Sequence, residues 1–180
     1  MKITQINVIR HLTKKEYFQL RELCFFSNCL YNFGWYNIRQ HYFKNKTFLS
    51  YTKNEPQCKE NENYKLLQSN SAQQTLRDVD DAFKFFFGSL KSKKVKKSRP
   101  PKYQEKGGLY TLTISGNSIN VKDGYLILPA NRTYSKVLND HKIKIIFPER
   151  LVGKKINEVK IIPQYNGKYF KIQSYCDESR

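Results

Sequence analysis

Three glutamines, an asparagine and two serines crowd the run QSNSAQQT, Gln68 to Thr75, where a helix is due to begin. One such side chain is enough to cap a helix. The others have chemistry to spare. Asn and Gln carry a donor and an acceptor side by side and match the edge of adenine, while Ser and Thr make adaptable contacts to any base. The positive end of the helix also suits a phosphate. Two readings stand side by side: Ser69, Asn70, Gln73 and Gln74 form a base-reading helix start, or they are ordinary caps with exposed polar filler.

The second group is basic. KSKKVKKSRPPK, Lys91 to Lys102, holds seven basic residues in twelve and no acid. Lys91, Lys93, Lys94, Lys96, Lys97, Arg99 and Lys102 are candidate phosphate contacts, with Arg77 added from the preceding helix. The whole chain has 33 Lys and Arg against 15 Asp and Glu, a formal charge of +18. Such an excess repels itself unless an anionic partner neutralises it. Nucleic acid is the first expectation, an anionic membrane the second, and a basic surface without a dedicated ligand the third.

Catalytic chemistry is sparse. The one dense carboxylate group is Asp78, Asp80 and Asp81. On a helix Asp78 and Asp81 share a side and Asp80 does not, so a solvated face between Arg77 and Lys84 is expected. Asp177 and Glu178 are expected to fray. No Gly-rich phosphate loop, Ser/His/Asp set or Cys/His dyad stands out. Cys24, Cys29, Cys58 and Cys176 lack C-x-x-C spacing, and His11, His41 and His141 do not flank them as zinc ligands would. The cysteines read as reduced, buried, small hydrophobes. No catalytic residue, metal or cofactor is expected in this chain. No apolar run approaches the roughly 20 residues of a spanning helix. The N-terminus lacks the apolar core of a signal peptide, so an intracellular protein without a membrane partner is expected.

The elements that must carry these groups follow from periodicity. Lys2 to Ile9 alternates with one irregularity and reads as a short strand. Thr13-Lys-Lys-Glu16 fits a capping box. Behind it Tyr17, Leu20, Cys24, Tyr31, Ile38 and Tyr42 recur at helical spacing, predicting a helix from about 14 to 43. Ser50 is placed to cap a short helix that Pro56 limits. Ser69 reads as the N-cap of the next helix. Its core face is Ala72, Leu76, Val79, Phe83, Phe86 or Phe87, and Leu90, and Gly88 weakens it without ending it. Pro100 and Pro101 close the basic run. From Leu109 the runs LYTLTIS, SINVK, YLILP and HKIKIIFP are strand-like, with GN and DG turns. NEVKIIPQY and YFKIQSY read as a terminal hairpin. The sum is an α+β chain: a small β-barrel to which the first strand belongs, interrupted by helices.

Four segments resemble one family. SNSAQQTLRDVDDAF resembles the S-Q-x-L-Q-x-x-L-R-D-L-D-x-A-F signature of TnpB, the accessory protein of many bacterial insertion sequences. CLYNFGW resembles its aromatic F-V-Y-N-W stretch, and RPPKYQEKG its P-R-F-K-x-K-G segment. KIKIIFPERLVGKKINEVKIIPQYNGKYFKI resembles its closing strands. The four fall in the family's order and span the whole chain.

TnpB proteins resemble small type V CRISPR effectors and are RNA-guided DNA endonucleases of transposable elements. The resemblance implies an OB-like wedge barrel from 1–12 and 103–180, an inserted helical recognition lobe over 13–90 and a basic linker over 91–102. It implies a structured guide RNA and double-stranded target DNA as partners, in the cytoplasm of a bacterial or archaeal cell and at the nucleoid when bound. It implies that Ser69, Asn70, Gln73 and Gln74, with Tyr51 of LSYTK, read a short duplex motif beside the target. The family's nuclease domain uses magnesium and a zinc ribbon, and its first RuvC strand carries G-I-D-x-G soon after the hairpin. Here SYCDESR follows the hairpin, and Asp177 has neither the Gly-Ile before it nor the Gly after it. The expectation is therefore the N-terminal, guide-RNA- and target-DNA-binding portion of a TnpB-like nuclease, lacking the RuvC domain. Where the gene is split, a separately encoded RuvC-containing portion is a further partner. The alternatives are a nuclease-free RNA-guided DNA-binding regulator and a general basic RNA-binding protein. Asn70 stands where the family usually has Gln, and Ala72 replaces a larger apolar residue, so the motif read is expected to differ.

Overall fold

The computed structural model describes residues 2–92, 99–137 and 142–177. A strand, β1 (Lys2–Val8), leads into a 32-residue helix, α1 (Lys14–Asn45). The capping box forms: Thr13 Oγ1 accepts from the Glu16 amide at 3.2 Å, and Glu16 Oε2 accepts from the Thr13 amide at 2.9 Å. At the far end Lys46 turns left-handed and its amide bonds Tyr42 O. Leu20, Cys24, Tyr31 and Ile38 are buried as their spacing predicts, but Tyr42 is exposed.

Two short helices follow, α2 (Tyr51–Cys58) and α3 (Glu62–Leu66), then α4 (Ser69–Lys91). Pro56 lies inside α2, which ends two residues later. Ser50 stands at its N-cap without a capping bond. Asp80 of α4 does that job, accepting from the Tyr51 amide at 2.7 Å. The N-cap of α4 is Gln68 and not Ser69: Gln68 Oε1 reaches the Ser71 amide at 3.1 Å, while Ser69 becomes the exposed first helical residue. Ala72, Leu76, Val79 and Phe83 are buried, Phe86 and Phe87 are half-buried, and Leu90 is exposed. Gly88 does not end the helix.

Gly34 lets α1 and α4 approach closely. A Cβ there would lie 2.5 Å from Leu76 Cδ2. The sheet is docked on α1 from its other end, where the Tyr17 hydroxyl donates to Gly167 O at 2.6 Å and Arg21 Nη1 to Asn166 O at 2.7 Å.

The strands form two antiparallel sheets. One runs β1-β7-β6-β2, with β2 at Leu112–Ser115, β6 at Ile156–Gln164 and β7 at Tyr169–Asp177. The other runs β3-β4-β5, at Asn120–Lys122, Tyr125–Ile127 and Lys144–Ile146. The first strand does join the last, Lys2 opposite Asp177 and Val8 opposite Lys171. Asp177 is therefore held in a strand and not frayed, and its amide bonds Lys155 O; Glu178 lies outside the described residues. Asp123 and Gly124, both at positive φ, make the tight turn that the DG pair predicts. Ile143, Ile145 and Phe147 alternate inward. No ladder among the described residues joins the two sheets into a closed barrel. They share one core instead, in which Leu126 and Ile145 of one sheet pack in the same cluster as Val159 and Ile172 of the other and Leu20 and Leu76 of the helices. A further helix, α5 (Arg132–Val137), has no counterpart in the periodicity; its Tyr134 is buried under α1, with its hydroxyl on Glu22 at 2.8 Å. None of the described helices is long and apolar enough to cross a membrane.

Candidate nucleic-acid interface

The start of α4 carries the amides in three directions. Asn70 donates to Ser118 Oγ at 3.0 Å, beside Gln68 Nε2, which reaches the same hydroxyl at 3.1 Å. Both amides thus tie α4 to the Gly116–Ser118 turn between the sheets. Ser69 and Gln73 line a polar depression with Lys59, Lys65 and Asn131. The Tyr64 hydroxyl at its edge donates to the buried Glu55 carboxylate at 2.6 Å, and burial together with Glu55 pushes that phenol well above its ordinary range. Gln74 faces a third side, bonded to Asp78 at 3.1 Å.

On that third side Gln74 meets Tyr51 and Arg77. The three line one depression with Ser50, Thr52 and Asp81. The Arg77 guanidinium lies over the Tyr51 ring at 4.4 Å from its centroid, a cation–π contact that fixes both side chains. The arrangement depends on Asp80. Its carboxylate is buried, holds the first amide of α2, and pairs with Lys84 at 2.6 Å. The expected solvated carboxylate face is therefore wrong for two of its three members. Asp80 is an internal cap. Asp78 is half-buried, accepts from Gln74 and from the Tyr110 hydroxyl at 3.2 Å, and burial raises its pKa. Only Asp81 is left in water. Helical spacing shows which residues share a side, but not that α2 covers Asp80 and Tyr110 covers Asp78.

The five expected motif-reading residues are thus split. Tyr51 and Gln74 stand together with Arg77, Ser69 and Gln73 stand together around the first turn of α4, and Asn70 is engaged with Ser118. Of the expected phosphate contacts, Lys91 is exposed in the last turn of α4, and Arg99 and Lys102 are exposed at the end of the basic run. Lys93, Lys94, Lys96 and Lys97 lie outside the described residues, as does His141.

Three side chains of α1 hold the segment that follows the basic run. Trp35 Nε1 donates to Pro101 O at 3.0 Å, Asn32 exchanges two bonds with the Gln104 backbone at 2.8 and 3.1 Å, and Asn28 donates to Glu105 O at 3.0 Å. The backbone of an irregular strap is satisfied here by helix side chains at i, i+4 and i+7. The segments CLYNFGW and RPPKYQEKG, distant in sequence, meet through these bonds.

No protein-family model matches the chain, and no curated protein matches it.

Among the described residues no group of three or more His, Cys, Asp or Glu side chains stands where it would hold a metal ion. Cys24, Cys58 and Cys176 are buried and Cys29 is half-buried. Burial pushes the Cys24 thiol up to about 12, so it is an inert packing group at neutral pH.

Proposed function

We propose that this chain is the guide-RNA- and target-DNA-binding portion of a TnpB-like, RNA-guided DNA-targeting protein. In this reading the two sheets are its wedge-type barrel, residues 13–90 its recognition insert and 91–102 its basic linker. Support for the division comes from the pairing of β1 with β7 across the helical segment. The observation that carries the functional reading is the rigid group of Tyr51, Gln74 and Arg77. An amide that can read a base edge, a cation that can reach a phosphate and an aromatic ring are presented together at the surface, with the buried Asp80 carboxylate anchoring the Tyr51 backbone. The surplus of basic residues supplies the sequence-independent part of the affinity.

The test is a binding selection on duplex DNA with a randomised flank beside a fixed target, using protein loaded with its guide RNA. Gln74→Ala is expected to lose about 1 to 3 kcal/mol of discrimination at one base pair. Arg77→Ala is expected to weaken binding evenly across flanks. Neither side chain belongs to the apolar core, so the melting temperature stays nearly constant. Selection of the same flank by Gln74→Ala and the parent would remove the base-reading role.

A further inference from the structure

Trp35, Arg39 and Phe43 stand at i, i+4 and i+8 on α1 and form one wall of an open cleft of about 560 Å³. Phe86, Phe87 and Leu90 of α4 form the opposite wall, and the strap at Pro100 to Tyr103 closes a third side. Phe83 and the foot of the first wall at Trp35 make the floor, both buried, with ring centroids 5.8 Å apart. The mouth is apolar and wet: Phe43 is 54%, Leu90 57% and Tyr103 43% exposed. A patch of this kind costs solubility and marks a binding surface.

The charge around it narrows the occupant. Among the described residues that line the cleft there is no carboxylate, while Arg39, Arg99 and Lys102 stand at its rim. The Arg39 guanidinium lies 5.3 Å from the Trp35 centroid and 5.2 Å from that of Phe43, so its charge rests over the aromatic wall. A neighbouring depression continues the positive surface with Lys46 and Lys91. An apolar protein segment has no use for such a rim. A ligand with flat, apolar faces and an anionic thread suits both parts. We propose that the cleft holds unpaired bases of a single-stranded RNA, with Arg39, Arg99 and Lys102 on the flanking phosphates; this rests on the reading that the chain binds RNA. The walls are prebuilt, since Trp35 is bonded to Pro101 O and lies against Tyr103, with centroids 3.9 Å apart and planes tilted by 41°. The indole N–H is already used and the phenylalanines have no polar atom, so the aromatic lining offers only the Tyr42 and Tyr103 hydroxyls to a base edge. The cleft therefore takes bases by stacking, with little preference for their identity.

Trp35 is the single tryptophan of the chain, so its emission reports from the cleft floor. The experiment titrates the full chain with a short mixed-sequence RNA, the same RNA with abasic sugars, and DNA of the same sequence. The RNA is expected to quench Trp35 emission saturably, the DNA to quench it less, and the abasic strand not to quench it. Phe43→Ala, which removes a side chain more than half exposed, is expected to bind RNA about 5- to 100-fold more weakly. Phe85→Ala, 78% exposed and outside the cleft, is expected to bind like the parent. RNA binding that leaves Trp35 emission unchanged and is indifferent to Phe43→Ala overturns the inference and leaves the nucleic-acid reading standing. Failure of the chain to bind RNA even at low salt overturns that reading and this one together. Equal quenching by DNA overturns the assignment to RNA. Self-association that Phe43→Ala abolishes, with RNA binding unaffected, gives the cleft to a second copy of the chain.

Discussion

The Gln68 amide does two jobs with its two ends. Its oxygen accepts from Ser71 and closes the first turn of α4, and its nitrogen donates to Ser118 and fixes that turn against the sheets. Gln68→Ala is therefore expected to cost about 1 kcal/mol for the cap alone, read as a lower midpoint in urea unfolding. Ser69→Ala is expected to stay within about 0.5 kcal/mol of the parent, as at an ordinary surface position. Reversed effects would return the cap to Ser69. The amide-rich run signals that this helix start does more than cap, yet it cannot say which amide does what. Serine is the better cap by type, and Gln68 wins because its longer arm also reaches Ser118, a partner 50 residues away. Asp80 is the same case. Nothing near it in sequence shows that Tyr51, 29 residues earlier, needs its carboxylate.

Helices α1 and α4 meet where Gly34 removes a side chain. Gly34→Ala would drive a methyl against Leu76, which is itself buried, and overpacking of this kind typically costs about 1 to 3 kcal/mol. Thermal unfolding checks it, and Leu76→Val beside Gly34→Ala should recover part of the loss. A stability equal to the parent's would mean that the helices separate freely. Existence and length of α1 and α4 are legible from their period and, for α1, from the capping box at Thr13. The strap from Pro101 to Glu105 is not, because its order comes from Asn28, Asn32 and Trp35 on another element. The cleft has a readable trace, the Trp35, Arg39, Phe43 stripe. Tyr42 hides it by fitting the apolar period while lying exposed. The short helix α5 is illegible for a related reason: Tyr134 is buried by tertiary contact with α1, and six residues are too few to show a period.

On the scale of the molecule, a charge of +18 makes every nucleic-acid affinity a function of salt. Changing Lys93, Lys94, Lys96 and Lys97 together to Ala is expected to weaken RNA binding. The slope of log affinity against log salt should flatten by about 0.7 for each phosphate that the variant no longer neutralises. An unchanged slope would assign the run to solvent. The alternation of the strands makes the mixed class and the terminal hairpin readable, but neither the division into two sheets nor the lack of closure among the described residues. Closure depends on how Ser115 to Asn120 turns from one sheet to the other, and there Gly116 brings its backbone against Ile156 and Asn157, where a Cβ would clash. The register of β1 has a further consequence, in time. Val8 is made early and its partner Lys171 is 163 residues later by number. At cellular rates of synthesis the interval is on the order of ten seconds. Throughout it β1 has no ladder, while α1 and α4 can already meet at Gly34 and Leu76. The helices are thus expected to form first on the ribosome. The strand made before them waits with its backbone groups unpaired, and β7, the last of the described strands to emerge, is the one that captures it.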